Sequence, residues 1–342
     1  MPKGWTVAVH DSWGVRISNE VVCDGFLRDA PVRVQTHIHR DHRQGFDSCK
    51  GPGRKIVALP GTRDLMIAEA DDLLAQRSNF IALEPGHEFE VDDGKLQLFE
   101  NNHMLGSAQV LFESADGYRT GYSGDFGWPC DPMEVDELVV DGTSSPTTVR
   151  DYSQEAAEEV LRDLVIEREA LGPVVITADP EATYRAMGIL AELHDLAVIA
   201  NQTAYRYAEV YREYGADIPS GLVAEGTEDS DALMAEGRYV LFRSKGARNL
   251  YDRDPTYIRL MPFYTKPNNP LLKLGPNSFE VGISNHADFE QTLEYVSGTG
   301  ASRVLVDPIR GRKAAELAIE LGERLAVEVS FEFERSDGGW GH

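Results

Sequence analysis

The chain has 342 residues, 42% of them hydrophobic, with 57 acidic against 33 basic side chains and a formal charge of −24. That length supports a substantial core in one large domain or two ordinary ones, and the charge argues against a simple basic-groove nucleic-acid binder. Only 8 of the 33 basic residues are lysine, and an acid-coated, arginine-rich surface suits a halophilic chain, because repulsion is screened within about 3 Å in 1 M salt. No apolar run approaches the roughly 20 residues of a membrane span, and the opening Met1-Pro2-Lys3-Gly4-Trp5 lacks a secretory core, so a cytoplasmic location without a membrane partner is expected. Cys23, Cys49 and Cys130 are too scattered for a disulfide framework and read as buried thiols.

Short β-rich runs dominate the first 140 residues, among them Trp5 to Val9, Val32 to Thr36, Ile56 to Leu59, Leu96 to Asn101, Ala108 to Glu113 and Tyr118 to Ser123. Asp92-Asp93-Gly94 and Ala115-Asp116-Gly117 mark hairpin turns, and a helix is predicted from Thr62 to about Gln76. This half reads as two mostly antiparallel sheets. From Ser153 the period changes to alternating helices (153–171, 180–193, 203–214) and strands (174–177, 197–200), the pattern of a parallel α/β unit. Ile218 to Gly237 reads as acidic and turn-rich, and Lys266-Pro267-Asn268-Asn269-Pro270 as a linker. Beyond it lie strands at 279–284, 303–306 and 327–333 and helices at 289–296 and 312–325. The order is that of an α/β module inserted into a larger β-rich fold.

The densest chemical signal is Thr36-His37-Ile38-His39-Arg40-Asp41-His42, which holds three of the nine histidines within six residues. Side chains two apart on a strand share a face, so His37 and His39 point together while the next turn swings Asp41 and His42 in from the other side. Clustered histidine and aspartate at this spacing is a metal-ligand pattern. Four further segments put polar residues at the ends of apolar strands: Asn101 to Ala108 with His103 and Ser107, Tyr122 to Phe126 with Asp125, Val140 to Thr143 with Asp141, and Ile283 to Phe289 with His286.

The H-x-H-x-D-H run, His103 with its Gly-Ser-Ala flank and the Gly-Asp-Phe around Asp125 resemble the metallo-β-lactamase fold. Asp141 and the Ser-Asn-His-Ala-Asp segment at His286 resemble its β-CASP branch of nucleases, which includes messenger-RNA 3′-end cleavage factors, ribonuclease J and DNA cross-link repair exonucleases. The likeness runs from about Asp24 to Gly311, with five motifs in the family's order. It implies an α/β fold, an αββα sandwich in two parts (1–145 and 275–342), split by a β-CASP insert at 146–274. It also implies two zinc ions, with manganese as the alternative: His37, His39 and His103 hold one, Asp41 and His42 the other, and Asp125 bridges them, with Asp24 orienting the loop from behind. Two such ions activate a water and neutralise a phosphoryl group during in-line attack. His286, oriented by Asp141, is placed to protonate a leaving oxygen, so Asp41, His286 and Asp141 are the expected catalytic residues. RNA-processing members carry a histidine where this chain has Asp307, which is read either as an oxygen ligand to the second metal or as a turn residue.

Ser107, Arg243, Lys245 and Arg248 are candidate substrate contacts. For the Arg243 to Arg248 and the Arg310, Arg312, Lys313 clusters, ordinary solvated charge is the default reading. The expected function is a metal-dependent nuclease acting on single-stranded RNA or DNA, exonucleolytic in preference, with a homodimer left open. The rival readings are a small-molecule ester, lactone or thioester hydrolase on the same fold, and a catalytically decayed nucleic-acid-processing subunit.

Overall fold

The computed structural model describes residues 4–69, 74–244, 255–261 and 268–335. These fall into two compact units: a first drawn from both ends of the chain, and a second formed by Arg150–Asn285. Both boundaries lie beyond the 146 and 274 suggested by the sequence. The later end follows from strand Ser278–Val281, which pairs parallel with Thr256–Leu260 and so closes the second unit's own sheet.

The first unit is built on two sheets. One has six strands in chain order, from Ala8–Val9 through Val21–Cys23, Val32–Val34 and Lys55–Ala58 to Phe80–Ala82. The other has seven and runs, in spatial order, Glu328–Ser330, Arg303–Val306, Glu137–Val140, Arg119–Tyr122, Ala108–Ser114, Gly94–Glu100, Phe89–Val91. Strand alternation assigns the faces. Val32 and Val34 from the first sheet and Leu98, Val110, Val139 and Leu305 from the second share one buried core, as in face-to-face sheet packing. Leu138, Val140, Val304 and Val306 point the other way and pack under helices Phe289–Thr299 and Ala314–Leu325 through Phe289, Leu293, Leu317 and Leu321.

The second unit has a seven-stranded sheet that is parallel except where Leu271–Gly275 pairs antiparallel with Ser278–Val281. Helices Gln154–Glu169, Pro180–Ala191, Gln202–Glu213 and Glu228–Glu236 accompany it. Among the described residues no helix is long and apolar enough to cross a membrane.

Both predicted hairpins form: Val91 pairs with Gly94, and Glu113 with Arg119. Two other expectations change. Three pairings of the first sheet, from Val21–Cys23 to Phe80–Ala82, are parallel; the first two connections, 24–31 and 35–54, are not the tight turns that an antiparallel hairpin uses. The acidic stretch 218–237 contains strand Leu222–Ala224 and helix Glu228–Glu236. That helix is secured by a capping box between Thr227 and Ser230 and ended by left-handed Gly237, and its first-turn acids suit the positive end of the helix dipole.

One close crossing sets the site. Helix Pro60–Glu69 opens against the 103–107 loop, where Thr62 Oγ1 donates to Gly106 O at 2.7 Å. Gly106 has φ +71, and a Cβ there would lie 2.1 Å from Thr62 N. Gly106→Ala is therefore expected to destabilise the fold by about 2–5 kcal/mol, combining backbone strain with overpacking. Denaturant melting would show this as a lower midpoint, and an unchanged midpoint would refute the crossing.

Candidate metal centre

The centre grows from one buried carboxylate. Asp24 follows strand Val21–Cys23 in the left-handed region, φ +55, a conformation that aspartate tolerates better than most residues. Its oxygens accept from Thr36 N (2.8 Å), Thr36 Oγ1 (2.6 Å) and His42 Nδ1 (2.7 Å). Since the Thr36 hydroxyl donates to Asp24, it accepts from His37 Nδ1 at 3.0 Å. Asp24 thus fixes His42 directly and His37 through Thr36, and the Nε2 of each is turned toward Asp125, at 3.2 Å for His42 and 3.8 Å for His37. Such backing of ligand imidazoles by a carboxylate or hydroxyl fixes their tautomer and aim. The turn itself is pinned from below. Arg33 donates to the carbonyls of Gly25, His42 and Gln44, and Gln35 Nε2 to those of His37 and His42.

Asn101 brings in the other donors. Its Nδ2 donates to the carbonyls of Ser123 and Asp125, both at 2.8 Å, while its Oδ1 accepts from His103 N. His39 Nδ1 stands 3.0 Å from His37 Nε2 and 3.4 Å from His103 Nε2. Ligand atoms of His37, His39, His103 and Asp125 all lie within 4.8 Å of one another. A second group at the same spacing joins Asp24, His37 and His42. Asp41 stays at its margin, with a side chain 49% exposed and Oδ2 3.9 Å from His42 Nε2.

Electrostatics suit a cation. Burial, then the His42 and His39 rings, keep His37 well below the usual imidazole value. Burial opposes a charge on His42, but Asp125 and Asp24 outweigh it and push that ring up to about 10. His42 Nε2 is buried and lies 3.2 Å from Asp125 without the alignment of a hydrogen bond, a position that a metal ion fits. Burial works against the Asp125 charge, yet His42 and His37 hold its carboxyl well below the ordinary range.

Asp141 and His286 come together at the rim. Asp141 Oδ2 lies 3.3 Å from His286 Nδ1 and accepts from Thr143 Oγ1 at 2.7 Å, while Oδ1 accepts from Thr143 N. The His286 ring packs edge-on against His103 with centroids 4.6 Å apart. Burial and the Asp125 charge raise Asp141 above the usual carboxylate value.

Asp307 is not available as a metal ligand. Its Oδ1 accepts from Ile309 N and Arg310 N, and its Oδ2 from Arg310 Nη1 at 2.8 Å. The two side chains are 1% and 2% exposed, which also overturns the reading of Arg310 as solvated charge. Arg310 reaches on to the carbonyls of Trp13 and Asp24. Ser107 is likewise a turn residue: it is buried, and its hydroxyl donates to Met104 O and accepts from Met104 N. Arg243 is ion-paired with Glu225. Lys245 and Arg248 lie outside the described residues. Arg33, Gln35, Asn101 and Arg310 are the positioning residues that motif reading passed over.

A mixed α/β fold and a buried His/Asp cluster whose donors can hold a metal ion define the class of this protein. The chain shares 32% identity over 110 residues with an uncharacterized protein in the lig 3′ region of Acidianus ambivalens, a match taking in 31% of this chain and 77% of that protein. It belongs to the family of that protein. No protein-family profile matches it. The fold is also similar to that of a protein of unknown function from Enterococcus faecalis V583, with a TM-score of 0.59 at 15% identity, covering 90% of this chain and 81% of that one.

Asp307→Ala leaves the Arg310 guanidinium buried without its counter-ion, and removing one partner of such a pair costs about 3–5 kcal/mol. The variant is expected to unfold at a lower denaturant concentration while retaining the wild-type metal content. Loss of one metal equivalent with unchanged stability would restore Asp307 as a ligand.

Proposed function

We propose that this chain is a metal-dependent phosphodiesterase of the β-CASP branch of the metallo-β-lactamase fold, acting on single-stranded RNA or DNA. The observation that carries the reading is the convergence of His37, His39, His103 and Asp125 from three separate loops onto one point, with the Asp141–His286 pair against it. Two facing sheets with helices outside, interrupted in sequence by a parallel α/β unit, support the same assignment.

Three imidazoles and one carboxylate suit zinc, with manganese as the alternative; His37, His39, His103 and Asp125 would hold it, and His42 and Asp41, beside the other Asp125 oxygen, would hold a second ion. Bound there, the metal supplies a Lewis acid for a phosphoryl oxygen and lowers the pKa of water. The remaining tasks belong to the chain. Asp24 and Thr36 hold His37 and His42 in the tautomer whose Nε2 faces the centre. Asp141 accepts a hydrogen bond from the Nδ1–H of His286, so that Nε2 is the ring atom left to donate to a leaving oxygen as general acid or to bind a phosphate.

The test is incubation of the purified protein, loaded with zinc or manganese in high salt, with end-labelled single-stranded RNA and DNA, alongside metal analysis. Asp125→Ala is expected to lose metal and cleavage. Asp24→Asn, which weakens the hydrogen bonds that orient His37 and His42, should cost about 10- to 100-fold in metal affinity or rate, with a lower melting midpoint beside it. Equal background from wild type and Asp125→Ala on both substrates would refute the nuclease reading.

A further inference from the structure

A cleft of about 1180 Å³ opens on the first unit, with one wall formed by Arg40 of the metal loop. Its described lining includes five cations, Arg40, Arg43, Lys50, Arg54 and Arg77, and one acid, Asp47. Across the whole chain the ratio is reversed, 33 basic to 57 acidic. Arg43 is paired with Glu69, and Lys50 with Asp47 at 2.7 Å. Among the described residues no carboxylate forms an ion pair with the other three. Arg54 donates to the carbonyls of Leu27, Arg28 and Ala30, and Arg77 to Cys49 O and Asn79 Oδ1. Backbone carbonyls fix a guanidinium without cancelling its charge. Arg40 is exposed, and no carboxylate pairs with it among the described residues.

The aromatic residue of the cleft does not offer a stacking face. Phe46 is buried, with the guanidinium of Arg33 5.4 Å from its ring centre and that of Arg77 5.2 Å away. The cleft therefore presents fixed positive charge without a platform for a base, which is chemistry for phosphates and sequence-tolerant. Its volume exceeds the roughly 300–1,000 Å³ of a small-molecule pocket. Four of the five cations are arginine, and planar guanidinium–phosphate contacts act at hydrogen-bond range, where salt screens least.

We propose that this cleft carries the phosphodiester backbone of the single-stranded nucleic acid on the side of the scissile bond nearest the 39–42 turn, with Arg40 the contact closest to the chemistry. The proposal rests on the nuclease reading, but it is tested by binding alone. The metal-loaded full chain would be titrated against a fluorescent, cleavage-resistant phosphorothioate oligo(dT) of about 20 nucleotides, longer than a typical single-strand site, over a series of salt concentrations.

The double variant Arg40→Gln/Lys50→Gln changes two exposed side chains that hold no backbone group. It is expected to raise Kd about tenfold or more and to flatten the log–log salt dependence by about 0.7 for the Arg40 contact and by up to as much again for Lys50, whose charge is shared with Asp47. Arg77→Gln should weaken binding in the same direction, and Arg324→Gln, on helix Ala314–Leu325, should leave it unchanged. Melting curves and metal content close to wild type would confirm that the double variant is intact.

Wild-type affinity in the cleft variants, or no binding by the parent chain, overturns the proposal. Affinity set by a 5′-phosphate, independent of strand length, would also overturn it by making the cleft an end-phosphate pocket. Cleft-dependent binding without cleavage of an ordinary strand would sink the nuclease reading and leave the cleft. Cleavage with cleft-independent binding would do the reverse.

Discussion

The first unit depends on the burial of one ionised carboxylate. An isolated carboxylate taken out of water is unfavourable by many kcal/mol, and the structure answers with three close donors on Asp24, two from Thr36 and one from His42. Those bonds are also the means by which the end of one strand dictates the orientation of two imidazoles. Burial raises the Asp24 carboxyl, but His42 and Arg310 together bring it below its ordinary range. The aspartate therefore stays charged in the pH range where imidazole lone pairs are useful.

The same logic extends outward through buried arginines. Arg33 lies on the strand face opposite Val32 and Val34, and donates to three carbonyls of the loops around the histidines. Arg310 links the turn after Arg303–Val306 to Asp24 and Trp13. An acid-coated exterior is thus combined with interior cations that hold polar loops in place. Salt that screens the surface barely reaches these contacts, because they are closed off from water.

Much of the centre is legible in the sequence because its donors are local or sit at strand ends. His37 and His39 follow from alternate spacing, and His103, Asp125 and Asp141 from polar residues closing apolar runs. The element pattern beyond residue 150 is legible for the same reason, since helix and strand periods differ. What escapes is whatever depends on a partner remote in the chain. Nothing in Val32-Arg33-Val34 announces that the middle side chain meets Gly25 O and Gln44 O. The parallel pairing of the first sheet escapes too, since strand runs look alike whichever way their neighbour points. Asp307 is the instructive case: the residue that occupies it lies only three positions on, but a turn arginine normally reads as solvent-facing, and its burial is set by Trp13 and Asp24 nearly 300 residues earlier.

The close approach of Gly142 and Gly311, where a Cβ on Gly311 would fall 2.2 Å from Gly142 O, locks the two turns that carry Asp141 and Asp307. With that backbone fixed, residues 307 and 310 cannot drift independently. A neutral side chain at 307 strands a buried guanidinium, and a neutral one at 310 strands a buried carboxylate. Any descendant that exchanges this ion pair for a different ligand set must cross a destabilised single-substitution intermediate or change both positions together, so covariation at this pair should be a signature of the lineage.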